Sequence, residues 1–411
     1  MLIVLLLGIL FLREPRIAEV EDVFLRWLIE HSQRSGPAVP LTVVEIGRDP
    51  LMETKSVPPS ENSPPPPPEM GSAMAISPLE FALFLQSVLE FQPSVVAFEN
   101  VLKWRDREKD QEQVFLDQAM RVPKLLLASE LSPTADPDAA WGEIRGFTQV
   151  VGRRGELPVF SGIERQPNED LRLIATPGYV NLPEEVSSRI RVPLLFLYRG
   201  EVIPSFALQA ILLWLRVTPA EVKVVLGSHI ALPQDRRIPI RRDGTLLIDP
   251  NASKRGRRLT LNEILLAAQQ RDGRGAAAQA APDFREHVVL ARTPSNPMSP
   301  PDVFAATIAT IQGNSYLRRI NPLFDCLMLL LVAALADSFR RVERFDLVLC
   351  GIAFTAAYCL IALGAISRWN IWLPGILPLG AVWIAVLAGF IRRRKEDGTR
   401  ETTTVIPPPI P

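Results

Sequence analysis

Glu45 and Glu99 each stand at the end of a short apolar run, LTVVE and SVVAFE, with Asn100 directly after the second acid. In an open α/β sheet the crevice beyond the carboxyl ends of the strands is where ligand groups are received. Two carboxylates and an amide in that position would offer hydrogen-bond acceptors, and one donor group, to a ligand. Glu45, Glu99 and Asn100 are therefore the candidate ligand-binding residues. The alternative for each acid is a solvated or structurally paired carboxylate.

No catalytic constellation accompanies them. His31, His229 and His287 are far apart, and none has metal-ligand spacing. The chain has no Gly-rich phosphate loop and no G-x-S-x-G elbow. The expectation is no enzyme activity, no metal and no cofactor. His287, beside a strand, reads as structural. Asn181, shortly after Gly178, reads as turn chemistry. Lys254, Arg255, Arg257 and Arg258 read as a solvated loop, with an anion site or an outer-leaflet contact as alternatives. A formal net charge of zero argues against nucleic acid as a main partner. Cys326, Cys350 and Cys359 all lie in the apolar C-terminal part, which excludes disulfides and Cys-based metal sites from residues 1–320.

The elements that would position these residues alternate strand and helix. Residues 13–40 read as a helix with Val20, Phe24, Trp27 and Leu28 on one face. Residues 41–46 read as a buried strand. Residues 50–77 form a proline-rich insert with five consecutive prolines, a stiff polyproline II spacer. Ser77, Pro78 and Glu80 then signal a capped helix start. A strand follows over 94–102, a charged helix over 106–121 with Val114, Phe115, Leu116 and Ala119 inward, and a strand over 124–131. This order implies parallel strands joined by crossovers. Further on, 147–151 and 171–175 read as strands and 203–217 as a helix. Short strands are expected at 223–226, 230–232 and 245–248, with Arg242-Asp243-Gly244 as a hairpin turn. Residues 259–270 read as a helix capped by Thr260 and Glu263, 286–290 as a strand, and 301–313 as a helix ended by Gly313. The fold class is an α/β domain over residues 20–318 with a mixed, largely parallel sheet.

Three apolar stretches follow, at 320–336, 347–366 and 371–391. At ~1.5 Å rise per residue, about twenty residues cross a ~30 Å hydrocarbon core. The expectation is a C-terminal bundle of three transmembrane helices in a lipid bilayer. Asp325 would lie near the outer interface, with a functional intramembrane acid as the alternative. The apolar start, 1–12, reads either as the core of a signal peptide or as a partial N-terminal anchor, and the anchor is favoured because no A-x-A cleavage site follows. Arg340, Arg341 and Arg344 in one loop, and Arg392 to Lys395 in the tail 392–411, place those segments in the cytoplasm. The large domain then lies on the other side, and Trp369 and Trp372 suit an outer interfacial belt.

In its order of elements the chain resembles the CHASE2 domain, an extracytoplasmic sensor module of bacterial transmembrane receptors. The similarity runs over roughly 20–320 together with the three C-terminal spans. It rests on the arginine-bearing helix start at 21–26, the strand ending in an acid at 95–99, the Pro-Leu segment at 189–194, the PSFAL helix start at 204–208, and the closing strand and helix at 284–290 and 302–317. The family's tryptophan-rich run before the first crossover helix is replaced here by residues 75–78. The resemblance implies an inner-membrane, multi-pass receptor for an unknown extracytoplasmic ligand. In the family a cyclase, histidine kinase or Ser/Thr kinase commonly follows the last span. Here only 392–411 follows, so the expected partner is a kinase or cyclase acting in trans, and a homodimer is compatible with this architecture. The competing readings are a non-sensory envelope scaffold that binds another membrane or periplasmic protein, and an extracytoplasmic enzyme.

Overall fold

The computed structural model describes residues 15–32, 36–47, 77–104, 109–135, 145–182, 190–233, 235–272, 283–293, 302–320, 322–338 and 344–402. The apolar start 1–12, the proline-rich insert apart from Ser77, and Arg340 and Arg341 lie outside the described residues. Two units are formed, an α/β unit of Gly36–Tyr316 and a helical unit of Met1–Ser35 with Leu317–Pro411.

Helix α1 (Pro15–His31) belongs to the helical unit. The α/β unit begins with β1 (Leu41–Glu45), α2 (Pro78–Leu89), β2 (Val95–Phe98), α3 (Lys109–Ala119), β3 (Leu125–Ser132), β4 (Gln149–Val151), β5 (Val159–Phe160) and β6 (Gly162–Arg165). Then come α4 (Glu169–Ile174), β7 (Thr176–Tyr179), β8 (Arg191–Pro193), β9 (Leu195–Tyr198), β10 (Glu201–Pro204) and α5 (Phe206–Leu215). Strands β11 (Lys223–Val225), β12 (His229–Ala231), β13 (Arg237–Pro239), β14 (Thr245–Leu247) and β15 (Arg257–Thr260) lead to α6 (Leu261–Asp272), β16 (Val288–Arg292) and α7 (Val303–Gln312). Helices α8 (Pro322–Ser338), α9 (Arg344–Trp369) and α10 (Ile376–Thr402) complete the helical unit.

The main sheet has seven strands. Strands β15, β1, β16, β2 and β3 run parallel in that order, and β3 also pairs with β7 in parallel and with β6 antiparallel. Side chains alternate between its faces. Leu41, Val43, Val95, Ala97, Val288 and Leu290 pack in a core with α5 and α7, while Val44, Val96, Phe98, Val289 and Ala291 pack with α2, α3 and α6. A parallel sheet covered on both faces needs apolar residues at every position, and so these strands read as continuous apolar runs. Strand β16 inserts between β1 and β2, so the first crossover skips a position that a strand much later in the chain fills. The smaller strands form three further sheets, β10-β9-β5, β13-β12-β11-β4 and β14-β8.

Local signals hold where side chains bond their own backbone. Ser77 Oγ accepts from Leu79 N–H at 3.2 Å. At α6 the capping box is complete: Glu263 Oε2 accepts from Thr260 N–H at 2.6 Å, and Thr260 Oγ1 accepts from Glu263 N–H at 3.3 Å.

In the α/β unit three readings of its elements are corrected. Residues 171–175 are not a strand but the end of α4, with Leu171 buried and Leu173 81% exposed, the pattern of a helix with Glu169 and Asp170 in its first turn. Val114 faces outward from α3, whose buried side is Phe115 and Ala119. The 242–244 turn is tight, with Gly244 at φ 73°, but its flanking strands β13 and β14 join different sheets instead of pairing as a hairpin. Gly313 is the C-cap of α7, as expected, at φ −80°, and the left-handed residue that follows it is Asn314.

In the helical unit, Phe345–Trp369 is the one described segment long and apolar enough to cross a membrane, at mean hydropathy 2.3. Helix α8 has 17 residues, and the apolar part of α10, Ile376–Gly389, is shorter than a span. The apolar stretch 371–391 is thus not one helix. Ile371–Trp372 pairs instead with Arg318–Arg319, and α10 starts only at Ile376. Pro374 disfavours helical backbone at Leu373, which delays the start. On α1 the buried stripe is Glu21, Leu25, Leu28 and Ile29, one position round from the expected face, with Val20 50% exposed.

Candidate ligand site

The parallel strands end at one edge of the sheet, and the three expected residues sit there. Glu45 ends β1 and lies in register with Arg292, which ends β16. Ala291 pairs with Phe98, which sets Arg292 one row on beside Glu99. Acid, base and acid therefore occupy one row on three neighbouring strands. Arg292 is buried, with Nη1 2.7 Å from Asp302 Oδ1 and Nη2 3.7 Å from Glu45 Oε1. Asp302, at the N-cap position of α7, continues the chain to Arg258 at 2.5 Å.

These groups are engaged with one another. Two acids, Glu45 and Asp302, balance two arginines, and the chain ties β1, β15 and β16 to the start of α7. Asn100 is similarly used: its Nδ2 donates to Thr293 Oγ1 at 2.8 Å and its Oδ1 accepts from Thr293 N–H at 3.2 Å. Glu99 is buried, and its N–H donates to Ala291 O at 3.2 Å. The structure thus brings Glu45, Glu99 and Asn100 to one edge and uses Glu45 and Asn100 to hold that edge together. Arg292 was missed because its strand was read as ending at residue 290. Extending the alternation of EHVVLAR by two residues would have found it.

A cavity lies against β3 and β7, on the far side of β2 from this row. It measures about 250 Å³ and is lined by Leu127 and Ser129 of β3, Ile163 of β6, Gln166, Arg172 of α4 and Tyr179 of β7, among others. Ser129 and Tyr179 are register partners. Gly178 lets β7 lie close, since a Cβ there would stand 2.7 Å from Phe206 and 2.9 Å from Leu126. Asn181 is not a turn residue: its side chain accepts from Leu131 N–H and donates to Leu131 O, both at 2.8 Å, extending the β7–β3 ladder.

Arg172 is the one charged side chain in the described lining. Among the described residues its side chain makes one hydrogen bond, a long one of 3.4 Å from Nη1 to Gln166 Oε1, and its Nε is buried with no partner among them. A buried donor without an acceptor costs about 1–3 kcal/mol. Burial, with a smaller contribution from Tyr198, pushes the Tyr179 hydroxyl well above the usual tyrosine range, so Tyr179 is neutral at physiological pH.

The remaining polar residues have structural partners. His287 Nδ1 lies 3.0 Å from Thr42 Oγ1, and burial lowers its pKa. The basic cluster divides its members: Arg255 pairs with buried Asp249 at 3.4 Å, Arg258 with Asp302, and Lys254 donates to Asn251 at 2.9 Å. Among the described residues no group of three or more His, Cys, Asp or Glu side chains is arranged to hold a metal ion.

No curated protein and no solved structure matches the chain. A family model described as CHASE2 domain matches residues 2–336, which spans the whole α/β unit and most of α8. The chain belongs to the CHASE2 domain family, whose members are extracytoplasmic sensory domains of membrane proteins.

Proposed function

We propose that this protein is a membrane-bound sensory receptor whose α/β unit binds a small extracytoplasmic molecule at the β3–β7 cavity and passes the signal through its membrane helices to a cytoplasmic kinase or cyclase acting in trans. The observation that carries the reading is a cavity lined by β3, β6, β7 and α4, with an under-satisfied arginine in its wall, in a domain of a sensory family. The ion-pair chain at Glu45, Arg292 and Asp302 then acts as the rigid part of the edge, against which a ligand at the cavity is read.

Transmission requires that a ligand favour one of two states. The chain leaves the α/β unit through α8 and enters it from α1. In the helical unit Glu21 of α1 bonds the first amides of α10, so a shift of α1 must move α10 or break that contact.

The test is thermal unfolding of the full chain in lipid nanodiscs against a broad panel of small metabolites. A receptor gains several degrees with one chemical class and none with the others. A protein that no small molecule stabilises, and that copurifies one envelope protein in stoichiometric amount, is a scaffold instead.

A further inference from the structure

We propose that the β3–β7 cavity takes a small monocarboxylate with an apolar body. The inference rests on the receptor reading above and names the ligand class.

Charge decides first. Arg172 gives the described lining a formal charge of +1, and no acid is among the described lining residues. A cationic ligand would meet that charge with nothing to offset it. A guanidinium is a planar fork of donors that matches a carboxylate in geometry, and charge-assisted bonds of this kind are about twice as strong as neutral ones. Arg172 has spare capacity, since one long bond to Gln166 is all its side chain makes among the described residues.

Size and lining narrow the class. At about 250 Å³ the cavity is below the ~300–1,000 Å³ of sites for drug-sized ligands. Leu127, Ile163, Pro167 and Ala175 give it an apolar wall. A ring or short chain fits there, with its carboxylate turned to Arg172. Ser129, Thr176 and the neutral Tyr179 hydroxyl supply further polar groups. Inorganic phosphate suits the site less well: a dianion with four oxygens would face one cation and an apolar wall.

Benzoate, benzamide, benzylamine and inorganic phosphate separate these outcomes at fixed ionic strength, with binding to the full chain in nanodiscs followed by calorimetry. Benzoate should bind at least about tenfold tighter than benzamide, and benzylamine should not bind. Arg172→Gln should weaken benzoate at least about tenfold and leave benzamide unchanged, with an unfolding temperature near wild type. Arg172→Lys should recover part of the benzoate affinity. Equal affinity for benzoate and benzamide, a preference for phosphate or benzylamine, or full benzoate affinity in Arg172→Gln would each overturn the carboxylate assignment. In the second of these cases the receptor reading survives with a different ligand. Binding of none of the four overturns the carboxylate assignment, and the metabolite panel then decides the receptor reading on its own.

Discussion

Glu21 accepts a hydrogen bond from the backbone N–H of Gly375 at 2.6 Å, and its second oxygen accepts from Ile376 N–H at 3.1 Å. These amides open α10, so a carboxylate on α1 caps a helix more than three hundred residues away in the chain. The negative charge also lies at the positive end of the helix dipole. Phe24, one turn along α1, packs where a Cβ of Gly375 would stand. Glu21→Ala should destabilise the helical unit by about 1–2 kcal/mol, the range for loss of an N-cap with a favourable dipole contact. Denaturation of the full chain in mixed micelles measures this, and an unchanged midpoint would count against the contact. In the receptor account Glu21→Ala keeps ligand affinity and loses ligand-dependent output.

Arg292 is buried and pairs with two acids, Glu45 and Asp302. Removing one partner of a buried ion pair leaves uncompensated charge and costs about 3–5 kcal/mol. Arg292→Met should therefore lower unfolding stability by that amount. Replacing Glu45 and Arg292 together by Gln and Met should restore part of the loss, because Glu45 is then not left charged and Asp302 keeps its pair with Arg258. Chemical denaturation of both variants checks the pair, and equal destabilisation would show that packing around Arg292, not its charge, is what counts.

His287 makes stability depend on pH. Burial lowers its pKa, with Asp283 and Glu286 opposing and Arg257 adding to the shift. The unfolded chain therefore takes up a proton on this residue at higher pH than the folded one. The contribution is fully present above the unfolded value of about 6.5 and is lost as pH falls from there through the lowered folded value. His287→Asn should flatten the change in unfolding free energy between pH 7.5 and 5.5. The same slope in wild type and variant would assign it to other groups.

What was legible in the sequence was what neighbouring residues decide. Thr260 with Glu263 announced α6, and the apolar runs of β1, β2 and β3 announced parallel strands buried on both faces. What could not be read were long-range facts. Nothing near residue 288 says that β16 fits between β1 and β2, and the row that places Arg292 between Glu45 and Glu99 follows only from that insertion. The face of α1 was misjudged because Glu21 breaks the apolar period. An acid in the stripe reads as polar until its partners, two amides at 375 and 376, are known. The cavity escaped notice because Arg172 stood in a segment read as a strand, where its position relative to Tyr179 has no meaning.

The central claim is that the α/β unit is a sensor outside the cytoplasm. The most direct test is labelling of Leu173→Cys, in a chain whose three cysteines are replaced by serine, with a membrane-impermeant maleimide in intact spheroplasts. Leu173 is 81% exposed, so the label reaches it wherever the solvent around the unit is accessible. The account predicts full labelling in intact spheroplasts and no increase on lysis. Labelling that occurs only after lysis would put the unit in the cytoplasm and contradict the account.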